Sequence, residues 1–514
     1  MIRRLVSLCA LAAAAACHQP SRAAGRPSPA LTRAVLRASI DSLVADPMFR
    51  NSHLGLLVVE PVTGDTIYSH NAGKLFMPAS NQKLLTGSTA LVQLGAGYRF
   101  TTAFLSSSPV TDGVLRGDLV VAGRGDPSVS DAMMGDAMLP LRAAAESLYS
   151  RGVREIAGFV VKGGNAFPDT TIGAWDWQNL DTPSGAAVDE LMFNEGFARV
   201  TVYGGDLPGD AVRVRTAPAR TVPNIAVDFV TTDPATVPAG PARPGGAGGT
   251  RGGGARSGAV RAVTDLRGTL PVVHLAGWVA PRDSVVTRVT LREPASAWLQ
   301  AFAEALASRG IMVRGGIVRS PDATLAGQPV LFTLSSPTLG EILPKFLKPS
   351  QNQIGEILLR TLGLERAGAG TADSGRRVVE RQMIAFGADS DGVVVRDGSG
   401  LSRHDYVTPE AIVKLLDAMR KRDDFKVFYD ALPIGGVDGT IANRMRNTPA
   451  QGNVHAKTGT VDKSHSLSGY VTTADGRLLL FSFQHNNYTT SNQQVERVQD
   501  WIAAKLAGHP FLKR

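Results

Sequence analysis

The stretch "FMPASNQKLLTGSTALVQLG", residues 76–95, sets a serine and a lysine three positions apart at the start of a helical pattern. Apolar residues recur at helical spacing beyond Lys83, so an amphipathic helix is predicted with Ser80 and Lys83 at its N-terminal end. Positions i and i+3 share a helix face, which lets the hydroxyl and the amine touch. Two readings are open: a solvated surface pair, or a nucleophile beside its base. S-x-x-K occurs once in the chain, but ordinary composition gives such a match about once in several hundred residues, so the motif alone decides little.

Two downstream elements change the balance. Ser350-Gln351-Asn352 is an S-x-N at a break between two helical patterns. Lys457-Thr458-Gly459, followed by Thr460, is the one K-T-G present and precedes a C-terminal hairpin. A second S-x-N, Ser69-His70-Asn71, lies ahead of Ser80 in the wrong order and reads as a turn. S-x-x-K, then S-x-N, then K-T-G is the order found in penicillin-recognising serine acyltransferases. Each part has a chemical reason. A serine becomes a nucleophile only beside a base, and a lysine whose amine is depressed by burial can serve. A helix N-terminus favours anionic character at Ser80. Ser350 and Asn352 supply a proton relay and an amide donor. Lys457, Thr458 and Gly459 on an edge strand bring a cation, a hydroxyl and close backbone approach, and such an edge can pair with an extended peptide. The N–H groups of Ser80 and Thr460 are the candidate oxyanion hole.

The segments "PASNQKLLTG", "KPSQNQIGEILLRTLG", "DGSGLS", "GGVDGT" and "HAKTGT…LSGYV" resemble the low-molecular-mass, class C penicillin-binding proteins, the D-alanyl-D-alanine carboxypeptidases/endopeptidases of peptidase family S13. "GRGDPS" (123–128) is similar to a Gly-Asp-Pro turn of that family. The resemblance spans nearly the whole mature chain and thins over 194–290. It implies Ser80 acylated by the penultimate D-Ala carbonyl of a peptidoglycan stem peptide, Lys83 as general base and Ser350 as proton shuttle. It also implies substrate held by Asn352, Lys457, Thr458, Gly459 and Thr460, and β-lactams as covalent inhibitors. No cofactor or metal is implied. Gln351 stands where the family often has Asp.

The expected fold is α+β: a β-lactamase/transpeptidase-like domain of helices packed on an antiparallel sheet, split by two smaller β-rich inserted domains. "HLGLLVVE" and "TIYSHN" form a predicted hairpin around "PVTGD", and "LSGYVTTADGRLLLFSF" another around Asp475-Gly476. Lys83 and Ser350 lie 267 positions apart, room for the inserts. The expected boundaries are 1–23 for a signal or lipobox segment, and 24–97 with 328–514 for the peptidase domain. Inserted domain II takes 98–193 with 291–327, and inserted domain III takes 194–290. A Pro/Gly-rich loop, 234–258, interrupts the last.

Composition narrows the class. The chain has 514 residues and a formal net charge of +9, spread without an aromatic-interleaved basic run, so nucleic acid is not an expected partner. "MIRRLVSLCALAAAAAC" has the charged and apolar regions of a secretory signal. Two ends fit it: a lipobox with Cys17 as a lipid anchor, or cleavage after Ser21-Arg22-Ala23. The expected location is the bacterial envelope, on the periplasmic side. Both cysteines, Cys9 and Cys17, fall in this segment, leaving the mature chain without a disulfide or thiolate ligand.

Other features divide between function and packing. Asp397-Gly398-Ser399-Gly400 and Asp438-Gly439-Thr440 are either cleft loops or plain turns. The nine histidines show no H-E-x-x-H, and His455 reads as structural. Arg124-Gly125-Asp126 reads as part of a turn, and Trp175 and Trp177 as packing between domains. A serine β-lactamase or esterase on the same scaffold is the alternative enzyme; it would lack a reason for the large insertion. A degenerate cell-wall-binding module disagrees with three intact motifs.

Overall fold

The computed structural model describes residues 33–169, 175–176, 179, 182–217, 225–227, 229–233, 235, 257–265, 272–319 and 325–510. The signal or lipobox expectation with Cys17, nearly all of the loop expected at 234–258, and Trp177 lie outside the described residues.

The peptidase region comprises α1 (Arg33–Val44), β1 (His53–Glu60), β2 (Asp65–His70) and α2 (Gln82–Leu94), then α3 (Leu339–Leu347), α4 (Asn352–Ala367), α5 (Ala372–Ala385), α6 (Pro409–Arg420) and α7 (Phe425–Ala431), and finally β3 (His455–Val461), β4 (Ser464–Thr472), β5 (Leu478–Asn486) and α8 (Asn492–Ala507). These five strands form one antiparallel sheet in the order β2-β1-β5-β4-β3, and Val393–Val394 pairs separately with Tyr406–Val407. Both faces are covered, which is why β1 and β5 read as near-continuous apolar runs. Leu56, Val58, Phe481 and Phe483 face α1 and α8 through Leu36, Ile40, Val495 and Ile502. Leu57, Leu480 and Tyr470 face the other helices, in a core with Leu84, Phe346, Ile357 and Leu415.

α2 runs through the middle of that second layer. Its residues from Gln82 to Leu91 are buried on every side, so the helix is central rather than amphipathic. Its small residues make this possible: a Cβ at Gly87 would sit 3.3 Å from the Phe346 ring. Ser80 precedes α2 in a short 3-10 turn, Ala79–Asn81, and Ala79 has φ +47°.

The chain leaves this region along Arg99–Leu105 and returns along Val330–Thr338, two strands that pair antiparallel with Arg99 opposite Thr338. They close a five-stranded mixed sheet with Leu119–Gly123, Val160–Lys162 and Ile317–Arg319. The boundary expected at 328 therefore falls ahead of a strand that belongs by pairing to the insertion. The return to helix comes at Thr338, which caps α3 in a capping box with Glu341. Adjacent entry and exit strands explain how one compact core accommodates so long an insertion. Farther out, Phe197–Tyr203 pairs with Arg213–Ala217 and Ser284–Thr290, and Val272–Val279 with Ile225–Val227 and Gly258–Asp265. One hydrophobic cluster, with Phe104, Leu148, Val202, Leu275, Trp298 and Phe302, is shared by all the inserted sheets and their helices.

Candidate active site

β3 is the edge of the peptidase sheet and lies against the turn that carries Ser80. Three contacts fix that approach. Asn81 Nδ2 donates to the Lys457 carbonyl at 2.8 Å, and Ser466 Oγ to the Pro78 carbonyl at 2.7 Å. Gly459 is the third: a Cβ there would stand 2.4 Å from the Pro78 oxygen and 2.9 Å from the Ser80 nitrogen. Only glycine lets the strand pass this close to the serine.

Lys83 is fully buried, and its Nζ donates to Ser80 Oγ at 2.9 Å, Asn352 Oδ1 at 2.7 Å and the Ser399 carbonyl at 2.6 Å. Burial pulls the amine down to about 7, opposed by the charges of Asp397, Glu356 and Asp405. Across the cleft Lys457, also fully buried, donates to Ser350 Oγ and to the Thr458 carbonyl, each at 2.9 Å. Burial, then the nearby Lys83, holds its amine well below the ordinary lysine range. Ser350 links α3 to α4 with φ +63°, and the Gln351 side chain caps α4 by accepting from Ile354 N–H at 2.8 Å. Gln351 is thus a helix cap, a task an aspartate also performs. Thr458 shares a 2.7 Å hydrogen bond with Thr440, and Thr460, also on β3, is exposed, its hydroxyl 2.9 Å from His465 Nδ1.

The structure thus gathers Ser80, Lys83, Ser350, Asn352, Lys457, Thr458, Gly459 and Thr460 around one cleft. Both doubtful loops belong to it: Ser399 meets Lys83, and Thr440 meets Thr458. His455 is stacked on Tyr429, a packing contact. Several participants were not legible as motifs. Asn81 stands between the serine and the lysine and fastens β3. Glu356, buried in α4, accepts from Gly398 N–H at 2.9 Å and pairs with Arg360 at 3.4 Å. A charged i, i+4 pair inside the apolar run of α4 was the signal for the last two. From the insertion, the Ser184 carbonyl accepts from Asn352 Nδ2 at 2.9 Å. Trp175 Nε1 donates to Asp397 at 2.7 Å, so this tryptophan packs between insertion and peptidase region. Among the described residues no His/Cys/Asp/Glu cluster is arranged to hold a metal.

The family described as D-Ala-D-Ala carboxypeptidase 3 (S13) matches residues 36–243 and 254–507. The chain belongs to that S13 family. A D-alanyl-D-alanine carboxypeptidase of Actinomadura sp. strain R39 is 34% identical over 486 residues, covering 92% of this chain and 84% of the relative. The D-alanyl-D-alanine carboxypeptidase DacB of Haemophilus influenzae is 26% identical over 455 residues, covering 86% and 87%. The crystal structure of penicillin-binding protein 4 (dacB) from Haemophilus influenzae superposes with a TM-score of 0.74 at 22% identity, covering 90% of this chain and 97% of that one. That Haemophilus protein is also known complexed with a β-lactam. The S13 fold, an α+β penicillin-binding domain with inserted sheets, is the fold of this chain.

Proposed function

We propose that this S13 protein is a serine D,D-peptidase of peptidoglycan, releasing terminal D-Ala from stem peptides and opening D-alanyl–diamino acid cross-links, with Ser80 as the acylated residue. The observation that carries the reading is Lys83, fully buried, with its amine 2.9 Å from Ser80 Oγ. At pH 7 an ordinary lysine is neutral in roughly one molecule in three thousand. With its amine at about 7, Lys83 is neutral in about half. Lys83 takes the Ser80 proton as Oγ attacks the penultimate D-Ala carbonyl. The N–H groups of Ser80 and Thr460 receive the oxyanion. Ser350, hydrogen-bonded to Lys457, passes a proton to the departing amine. Water then hydrolyses the acyl-enzyme. Lys457 has two protein acceptors, leaving its third N–H for the substrate carboxylate. Arrival of that anion favours the charged lysine, so the cation forms where it is needed. β-Lactams enter the same acylation and leave slowly.

The protein works in the cell envelope, on the periplasmic side, and Cys17 is its lipid attachment point. Among the described residues no helix is long and apolar enough to cross a membrane. Radiolabelled palmitate incorporated into the full chain but not into Cys17→Ser supports the anchor; label in neither rules it out. For the activity, muropeptides are digested with purified protein and weighed by mass spectrometry. Loss of one D-Ala, or conversion of cross-linked dimers to monomers, is expected with the native chain and absent with Ser80→Ala. Neither product from a folded native chain would sink the proposal.

A further inference from the structure

Lys83 has three hydrogen-bond acceptors, the number that fits an ammonium. A neutral amine has two N–H groups and one lone pair. If the two N–H groups stay on Asn352 Oδ1 and the Ser399 carbonyl, the lone pair is left facing Ser80 Oγ. These two acceptors therefore aim the base, and what holds them decides its direction.

The Ser399 carbonyl is held by Asp397. This side chain is fully buried and accepts four N–H groups: Gly400 at 2.6 Å and Ser399 at 3.1 Å on one oxygen, Ser402 at 2.7 Å and Trp175 Nε1 at 2.7 Å on the other. The loop folded around it also packs on the turn carrying Ser80. Gly400 has φ +80°, and a Cβ there would lie 1.8 Å from the Ala79 carbonyl. Nucleophile turn and lysine acceptor are thus fixed to one carboxylate. Asn352 is oriented in parallel, its Nδ2 tied to the Ser184 carbonyl so that Oδ1 faces Lys83. Trp175 and Ser184 both belong to the insertion.

We propose that Asp397 is a positioning residue for the general base, fixing through the Ser399 carbonyl the direction of the Lys83 lone pair, and that Trp175 of the insertion locks it there. The inference rests on Lys83 being the base. The charged and titratable groups acting on Lys83 are Asp397, Glu356 and Asp405, with Lys457 across the cleft and Arg360 beyond Glu356. Replacing Asp397 by a neutral residue removes a negative charge that raises the Lys83 amine, so the pH at which the base form appears must fall.

The test measures the second-order rate of Ser80 acylation by a fluorescent penicillin, from pH 5.5 to 9, on the full chain. Asp397→Asn is expected to label to completion, but about ten- to a hundredfold more slowly at the plateau. Its ascending limb should move to lower pH. Trp175→Phe keeps the ring and removes the N–H; it should slow acylation about threefold to tenfold without moving the limb. A wild-type rate, or a slowed rate with an unmoved limb, in Asp397→Asn overturns the proposal. If that variant does not melt cooperatively, Trp175→Phe decides alone, and a wild-type rate there overturns it. Lys83→Met separates the two readings. If it acylates normally, Lys83 is not the base. If it is inert while both other variants behave as wild type, only the role of Asp397 fails.

Discussion

Lys83 is where burial becomes chemistry. A fully buried ammonium costs several kcal/mol unless its N–H groups are satisfied, and here three acceptors and three neighbouring carboxylates offset only part of that. Burial lowers the amine, so the base form is present above its titration point and absent below it. Acylation of Ser80 should therefore rise with pH through about 7 and level off above. A stopped-flow profile with a chromogenic cephalosporin checks this; a limb near the ordinary lysine range would show that Lys83 is not the titrating base. Gly459 is the steric counterpart. In Gly459→Ala the new methyl meets the Ser466 hydroxyl at 2.3 Å and the Pro78 carbonyl at 2.4 Å, so β3 must move away from Ser80. The expected loss is about a hundredfold in acylation rate, with the protein still folded. A wild-type labelling rate in that variant would mean the edge strand has slack that the contacts do not show.

At the level of elements, capping decides where the helices around the cleft begin. Thr338 caps α3 with Glu341 reciprocating, at the point where the chain comes back from the insertion. Thr338→Ala should lower stability by about 1 kcal/mol, seen as a lower melting midpoint, while penicillin acylation at pH 8 stays unchanged. The elements were legible where period and turn chemistry agreed: the β1–β2 hairpin, the Asp475-Gly476 hairpin and the two helices flanking Ser350. α2 was legible in extent but not in environment. Thr86, Gly87, Ser88 and Thr89 are small or polar and run round nearly a whole turn, yet all are buried. Thr86 Oγ donates to the Gly398 carbonyl at 2.8 Å, a partner 312 positions away. Local periodicity carries no information on such a bond. The same holds for the end of the insertion: Val330–Thr338 has no local mark of belonging to the strand Arg99–Leu105 that precedes it by more than two hundred positions.

Across the whole molecule, the three motifs announced the cleft, but the insertion's share in it was hidden, because Trp175, Ser184 and Asp169 are ordinary loop residues until the fold sets them beside Asp397, Asn352 and Arg360. That junction is also rich in buried carboxylates. Asp126 in the "GRGDPS" turn is pushed up to about 6 by burial. Glu356 is pushed up to about 7 by burial and then by Asp397. Glu190 is raised to about 7 by burial and then by Asp189, with Lys162 at 2.5 Å pulling the other way. In each the folded-state value lies above the unfolded one, so the folded chain holds more protons. The associated stability is fully present below the unfolded values near 4 and is lost as pH rises through 6 to 7. A raised value of two units corresponds to at most about 3 kcal/mol per group. Between pH 5 and pH 7.5 these three groups lower the melting midpoint, while His465 and His485, both brought down to about 3 by burial, and Lys457, held well below the ordinary lysine range, raise it. Glu190→Gln keeps the shape and removes the titration, so its midpoint relative to the native chain should rise from pH 5 to pH 7.5, with the acylation profile left where it was. A difference between the two chains that stays constant from pH 5 to pH 7.5 would show that Glu190 remains charged in the fold, held by Lys162 more strongly than burial opposes it.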